Sequence, residues 1–127
     1  MGAGYLIDTS GYSHYLDNKL SIESADFMDS VFENAPAMCF IVKIELLSFQ
    51  GGSEKEKTIA DLVNSSEIRA LSDETIAKTI EIRRKAKIKL PDAVIAATAI
   101  VHNLTLLSTN DSDFLKVPKL KYKSLNI

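Results

Sequence analysis

The sequence predicts an α/β fold in three layers, with helices on both faces of a central parallel sheet of four to five strands. Short apolar runs alternate with amphipathic segments along the 127 residues, cap and turn residues separate them, and no repeat or interdomain linker interrupts the alternation. "GYLID" (4–8) is a short β-rich run that ends on Asp8, and Thr9 or Ser10 caps a short helix in "TSGYSHYLDN". "SIESADFMDSVFEN" starts from Ser21 as cap and spaces Ile22, Ala25, Met28, Val31 and Phe32 at three and four, which makes an amphipathic helix. After Pro36, "AMCFI" (37–41) is the second strand, and "VKIELLSFQ" runs as a helix until Gly51 and Gly52 stop it. "SEKEKTIADLVNS" is a helix from Ser53 whose apolar side is Ile59, Leu62 and Val63.

"IRAL" (68–71) is the third strand, after which Ser72 caps "DETIAKTIEIRRKAK". That helix is matched to its own dipole, with Asp73 and Glu74 at the positive end and Arg83, Arg84, Lys85 and Lys87 at the negative end. In "KLPDAVIAATAI" Pro91 suits the first helical position and Asn103 the left-handed residue that ends the helix. "TLLST" (105–109) is the fourth strand, "NDSDFLKVPKL" a turn or short helix, and "YKSLN" (122–126) a last strand. Residues 1–127 thus form one domain, the size at which a single hydrophobic core is expected.

Composition narrows the function. With 46% hydrophobic and 25% charged residues, disorder and low-complexity structure are excluded, and a net charge of −2 argues against a uniformly basic nucleic-acid coat. The longest apolar stretch, "APAMCFIV", is far short of the roughly 20 residues that cross a bilayer. The N-terminus lacks a basic segment followed by a long apolar one, so no membrane association is expected and the expected location is the cytoplasm. The single Cys39 reads as a small hydrophobe in a strand, and two distant histidines with one cysteine argue against zinc.

The acids carry the chemistry. In a parallel sheet functional groups gather at the carboxyl ends of the strands. Asp8 lies at the end of strand one, Asp111 and Asp113 just past strand four, and Asp92 in the first turn of the helix leading into strand four. Glu45, between Ile44 and Leu46, interrupts a hydrophobic helix. Each acid has an ordinary explanation: Asp8 as a helix cap, Asp92 as a dipole partner, Asp111 or Asp113 as a turn residue, Glu45 as a solvated edge. Crowded at one pocket, however, three or four carboxylates repel unless a cation neutralises them, and hard oxygen ligands select Mg2+ or Mn2+. Chemistry on a phosphodiester follows naturally from such a site.

In chain order, "YLIDTSGY", "IVKIELLSF", "KLPDAVIAATAI" and "LLSTNDSDF" resemble the motifs of the PIN domain, and within it the small VapC-type ribonuclease toxins of toxin–antitoxin pairs. The resemblance spans nearly the whole chain. It implies that Asp8, Glu45, Asp92 and Asp111 are the catalytic acids and bind Mg2+ or Mn2+, with Asp113 as a possible fifth ligand, and that Thr9 or Ser10 and Thr109 line the pocket. It further implies endoribonuclease activity on RNA, a homodimer, and inhibition by a cognate antitoxin whose tail covers the site.

The tract "RRKAKIK", carrying Arg83, Arg84, Lys85, Lys87 and Lys89, ends close to Asp92, where it either contacts RNA phosphates or serves as a solvated helix end. Tyr5, Tyr12, Tyr15 and Phe114 either stack bases or pack the core. Two other functions compete with the ribonuclease: a catalytically silent PIN-like binding module, and a receiver-type phosphoacceptor domain. The receiver needs a second acid beside strand one and an aspartate after a middle strand; here strand one brings Asp8 alone and strand three ends in "RALSDE".

Overall fold

The computed structural model describes residues 4–126. Five strands, β1 (Tyr5–Ile7), β2 (Ala37–Cys39), β3 (Glu67–Arg69), β4 (Thr105–Ser108) and β5 (Tyr122–Ser124), form one sheet in the order β3-β2-β1-β4-β5. Every pairing is parallel, with Leu6 opposite Ala37 on one side and Leu106 on the other. Leu6, Ile7, Leu106 and Leu107 are completely buried, as expected for central parallel strands covered on both faces.

Among the described residues seven helices connect the strands: α1 (Thr9–Leu16), α2 (Ile22–Phe32), α3 (Phe40–Leu47), α4 (Ser53–Asn64), α5 (Asp73–Lys85), α6 (Leu90–Val101) and the single turn α7 (Asp111–Phe114). They complete the three-layer α/β/α arrangement that the alternation predicts. The helix α6 is the hydrophobic pillar, with all residues from Ala93 to Ala99 buried. Its one interior hydroxyl, Thr98, bonds back to the Val94 carbonyl at 2.8 Å and meets the Cys39 sulfur at 3.3 Å, so both polar atoms are satisfied inside the core. Tyr12 and Phe114 are core residues, while Tyr5 and Tyr15 are partly buried and pack edge-on or tilted against Phe27 and Phe32 of α2. Core packing, rather than base stacking, accounts for these four rings.

Several boundaries move. Thr9 and Ser10 do not cap α1; Asp8 does, its carboxylate accepting from the Gly11 N–H at 2.8 Å, because β1 stops at Ile7 and leaves Asp8 extended at the helix entrance. The strand β2 stops at Cys39 and α3 begins at Phe40, two residues earlier than the pattern suggested, since Phe40 and Ile41 serve a helix as well as a strand. The same helix ends at Leu47, short of the glycines. β3 occupies 67–69 instead of 68–71, and β4 and β5 both stop short of their predicted ends. Leu90, not Pro91, is the first residue of α6, which leaves the proline in the first turn where its missing N–H costs nothing. The Ser21 and Ser72 caps stand as read, and Asn103 has φ 56° just beyond α6.

The chain runs outward from β1 to β2 and β3 on one side, then returns to place β4 and β5 on the other. The direction of winding therefore reverses between β1 and β4. In an open parallel sheet that reversal leaves a crevice at the carboxyl edge, the usual place for a ligand.

Candidate metal centre

Asp8 stands at the carboxyl end of β1, where the winding reverses, and is only 3% exposed. Besides the Gly11 N–H, it accepts from the Ser108 hydroxyl at 2.8 Å and from the Ser10 hydroxyl at 3.0 Å. Burial pushes its carboxyl above the ordinary range, the bonds from Gly11, Ser108 and Ser10 work against that, and the negative charge of Glu45 adds to the rise. Gly11 is required for this arrangement. A β-carbon there would come within 2.9 Å of Ile7 Cγ2, 3.2 Å of Asp8 Oδ1 and 3.3 Å of the Leu107 carbonyl. Gly11→Ala should therefore displace Asp8 and lower stability by about 1–3 kcal/mol, the usual cost of overpacking; a thermal melt equal to that of the unsubstituted chain would contradict this.

Asp92 opens α6 and is half-buried. Its carboxyl is pushed up to about 6, first by burial and then by the charges of Asp113, Asp8 and Glu45, with Lys89 alone pulling the other way. Four carboxylates from α1's cap, α3, α6 and α7 thus share one field. Glu45 reaches it from α3 and accepts a hydrogen bond from the Thr9 hydroxyl, next door to Asp8. It is an exposed residue on the solvent side of α3, beside Ile44, which is 57% exposed, while the core side of the helix is carried by Val42 and Leu46. Of the two residues that flank Glu45 in the chain, Leu46 is buried and Ile44 is exposed, so the apolar run that it interrupts is only partly core.

The two acids of α7 part company. Asp113 accepts from Asn110 Nδ2 at 3.0 Å, has Lys116 at 3.7 Å, and its charge acts on Asp92. Asp111 turns to β5 instead, accepting from the Tyr122 hydroxyl, from Ser124 Oγ at 2.9 Å and from Asn126 Nδ2 at 3.0 Å. Burial pushes Asp111 up, but those donors from Asn126, Tyr122 and Ser124 outweigh it and hold the carboxyl below its ordinary value. The crevice therefore brings together Asp8, Glu45, Asp92 and Asp113, and leaves Asp111 tying α7 to β5.

Of the hydroxyls, Thr9 meets Glu45, Ser10 meets Asp8, and Thr109 reaches Ser10 Oγ at 3.1 Å. Sequence reading missed Ser108, which is fully buried and bonds both Asp8 Oδ2 and the Asn110 N–H. A serine closing the apolar run "TLLS" was the only signal for it. Arg83, Arg84, Lys85, Lys87 and Lys89 are all exposed, from the last turn of α5 to the cap position of α6. Of these, Lys89 acts on Asp92.

An oxygen-only set with surplus negative charge fits a hard divalent cation in its chemistry. Among the described residues, however, no three acidic, histidine or cysteine side chains already stand close enough to hold one ion. The carboxylates would have to come closer together than they stand here to hold one ion. Among the described residues, also, no helix is long and apolar enough to cross a membrane.

A parallel α/β domain whose winding reverses at an acidic crevice defines a class of proteins that work on ligands at the carboxyl edge of the sheet. Residues 5–120 match the PIN domain family, and the chain belongs to it. That membership displaces the receiver alternative. Comparison with curated proteins gives no match. Among solved structures, the chain is similar to a toxin–antitoxin complex from Klebsiella pneumoniae, at 25% identity and a TM-score of 0.75 over 99% of this chain and 100% of that one. It is also similar to VapBC2 from Rickettsia felis bound to a DNA fragment from their promoter, at 22% identity and TM-score 0.78 over 94% and 97% of the two chains. VapBC-1 from nontypeable Haemophilus influenzae gives 19% identity and TM-score 0.79 over 95% and 97%.

Proposed function

We propose that this chain is the toxin of a toxin–antitoxin pair, an endoribonuclease that hydrolyses RNA phosphodiester bonds with Mg2+ or Mn2+ bound in the acidic crevice. The observation that carries the reading is the convergence of Asp8, Glu45, Asp92 and Asp113, opposed at Asp92 by Lys89 alone. Membership of the PIN domain family and likeness to chains solved in complexes named for toxin–antitoxin pairs support it. The same likeness supports a cognate antitoxin as partner; a homodimer, one domain for the whole chain and a cytoplasmic site of action belong to the same proposal, as the sequence reading expects them.

Asp8, Glu45, Asp92 and Asp113 would hold the cation, which when bound would activate a water and stabilise charge on a phosphate oxygen. The protein's own groups supply the frame. Ser108, Ser10 and the Gly11 N–H fix Asp8, Thr9 orients Glu45, and α6 carries Asp92 on a buried, rigid helix. Asp111 serves the site by anchoring α7 rather than by ligation. Arg83, Arg84, Lys85, Lys87 and Lys89 are exposed between the last turn of α5 and the start of α6, where they would meet the RNA backbone.

The test is cleavage of RNA with Mg2+ or Mn2+, with and without chelator. Cleavage should need the cation, and Asp113→Asn should reduce it more than tenfold further than Asp111→Asn. Undiminished cleavage in chelator would overturn the metal-dependent reading. No cleavage with either cation would favour a silent binding module.

A further inference from the structure

Beside the acids lies a pocket of about 280 Å3, bounded by α1, α3 and α4, that the proposed chemistry leaves unused. Thr9 and Glu45, which hydrogen-bond to each other next to Asp8, also line this pocket, so the two sites are continuous. Leu46 and Ile59 give it an apolar, buried wall, and Phe49, Asp17 and Lys55 stand around its mouth.

The mouth is built rather than incidental. Phe49 follows α3 in a loop whose Gly51 and Gly52 N–H groups donate to Glu56 Oε2 at 3.0 and 3.2 Å, which pins the loop to the first turn of α4. The Phe49 ring lies against Gly51, where a β-carbon would come within 2.1 Å of ring Cζ, so the place of the ring depends on that glycine. Lys55 Nζ stands 4.8 Å from the ring centroid and 2.6 Å from Asp17 Oδ1. Among the described residues no donor meets Asp17 Oδ2. Phe49 remains 38% exposed. A fixed, partly exposed ring with an acceptor and a donor beside it supplies what an unstacked base needs, a face to stack on and a polar edge to meet. The volume is at the small end for ligand sites and suits one base better than the face of a peptide helix.

We propose that this pocket takes one base of the RNA next to the cleaved bond, guanine by preference, stacked on Phe49 and read by Asp17 and Lys55. Guanine presents a carbonyl beside two N–H donor groups, so the carbonyl meets Lys55 while both donors meet the Asp17 carboxylate. Adenine and cytosine bring one such donor group each, and uracil a single N–H between two carbonyls. This assignment deepens the ribonuclease reading and rests on it for the position of the cleaved bond only.

Nucleoside binding to the full chain in chelator, followed by the ring resonances of Phe49, tests the pocket apart from catalysis. Guanosine should shift them and bind at least about fivefold more tightly than adenosine, cytidine or uridine. Phe49→Ala should weaken guanosine at least about fivefold, the loss of one stacked base. Asp17→Asn should remove the preference for guanosine, while thermal melts of both variants stay close to the wild type because both positions are exposed. With Mg2+ or Mn2+ and an RNA of mixed sequence, cuts should fall next to guanine, and Phe49→Ala and Asp17→Asn should lose that bias. A wild type that binds guanosine through Phe49 but cuts no RNA would sink the ribonuclease and leave the pocket standing. Equal binding of the four nucleosides, no binding, or binding that ignores both substitutions would overturn the proposal, even if the chain cuts RNA, and would hand the pocket to a protein partner or to solvent.

Discussion

Asp92→Asn should reduce metal-dependent RNA cleavage by at least about a hundredfold while making the metal-free protein more stable at neutral pH. The loss in activity follows from removing a donor at the centre of the acidic field; even groups that only support a metal ligand cost 10–100-fold when removed. The gain in stability follows from the carboxyl's raised value of about 6, against 3.8 in an unstructured chain. Between those values the folded protein binds more protons than the unfolded one, so Asp92's contribution to stability is full below about pH 4. It is lost as pH rises through about 6. At pH 7 the metal-free protein carries the cost of that ionised carboxylate, and asparagine removes it.

Because Asp92 is only half-buried, screening reduces the effect, and a gain of about 1 kcal/mol is the reasonable expectation. For a chain of this size that is a few degrees in Tm. Melting in chelator from pH 4 to pH 8 reads it directly: the Asp92→Asn curve should cross above the wild type near neutral pH. Added Mg2+ should then raise the wild type more than the variant, since only the wild type keeps the full ligand set. A variant that cleaves RNA like the wild type, or that melts lower than it at pH 7 in chelator, would contradict this account of Asp92.

Asp8 should separate charge from structure. Asp8→Asn and Asp8→Ala should both lose cleavage by at least about a hundredfold, but only the alanine should lose stability. Asparagine caps a helix about as well as aspartate. Its oxygen can still accept from the Gly11 N–H, and the Ser108 hydroxyl can rotate to accept from its amide. Alanine leaves the Gly11 N–H and the buried Ser108 hydroxyl short of a partner and should cost about 1–2 kcal/mol. Since burial raises the Asp8 carboxyl, the charge itself is a burden to the metal-free fold at neutral pH, and Asp8→Asn should melt no lower than the wild type. If Asp8→Asn cleaves normally, Asp8 is a structural cap and nothing more.

Asp8 also shows how far the sequence could be read. A carboxylate at the end of an apolar run and before a helix announces both a cap and a strand-end ligand, because the two uses require the same local geometry. Asp92 was legible for a similar reason: an acid in an otherwise apolar helix calls for a partner. The fold class, the Ser21 and Ser72 caps and the left-handed Asn103 followed from periodicity and local stereochemistry. These are properties of residues close in the chain.

What depended on residues far apart in the chain was not legible. Which acid of "NDSD" acts on Asp92 was decided by Tyr122, Ser124 and Asn126, more than ten residues beyond Asp111, which draw that carboxylate to β5 and leave the charge of Asp113 to act on Asp92. Ser108 became the support of Asp8 only because β4 pairs directly with β1. The family likeness, the alternation of elements and the identity of the acids were therefore in the sequence by itself. The partner of each acid and its surplus charge were decided only in the tertiary structure, because burial and Coulomb interaction depend on distance in space and not on spacing along the chain.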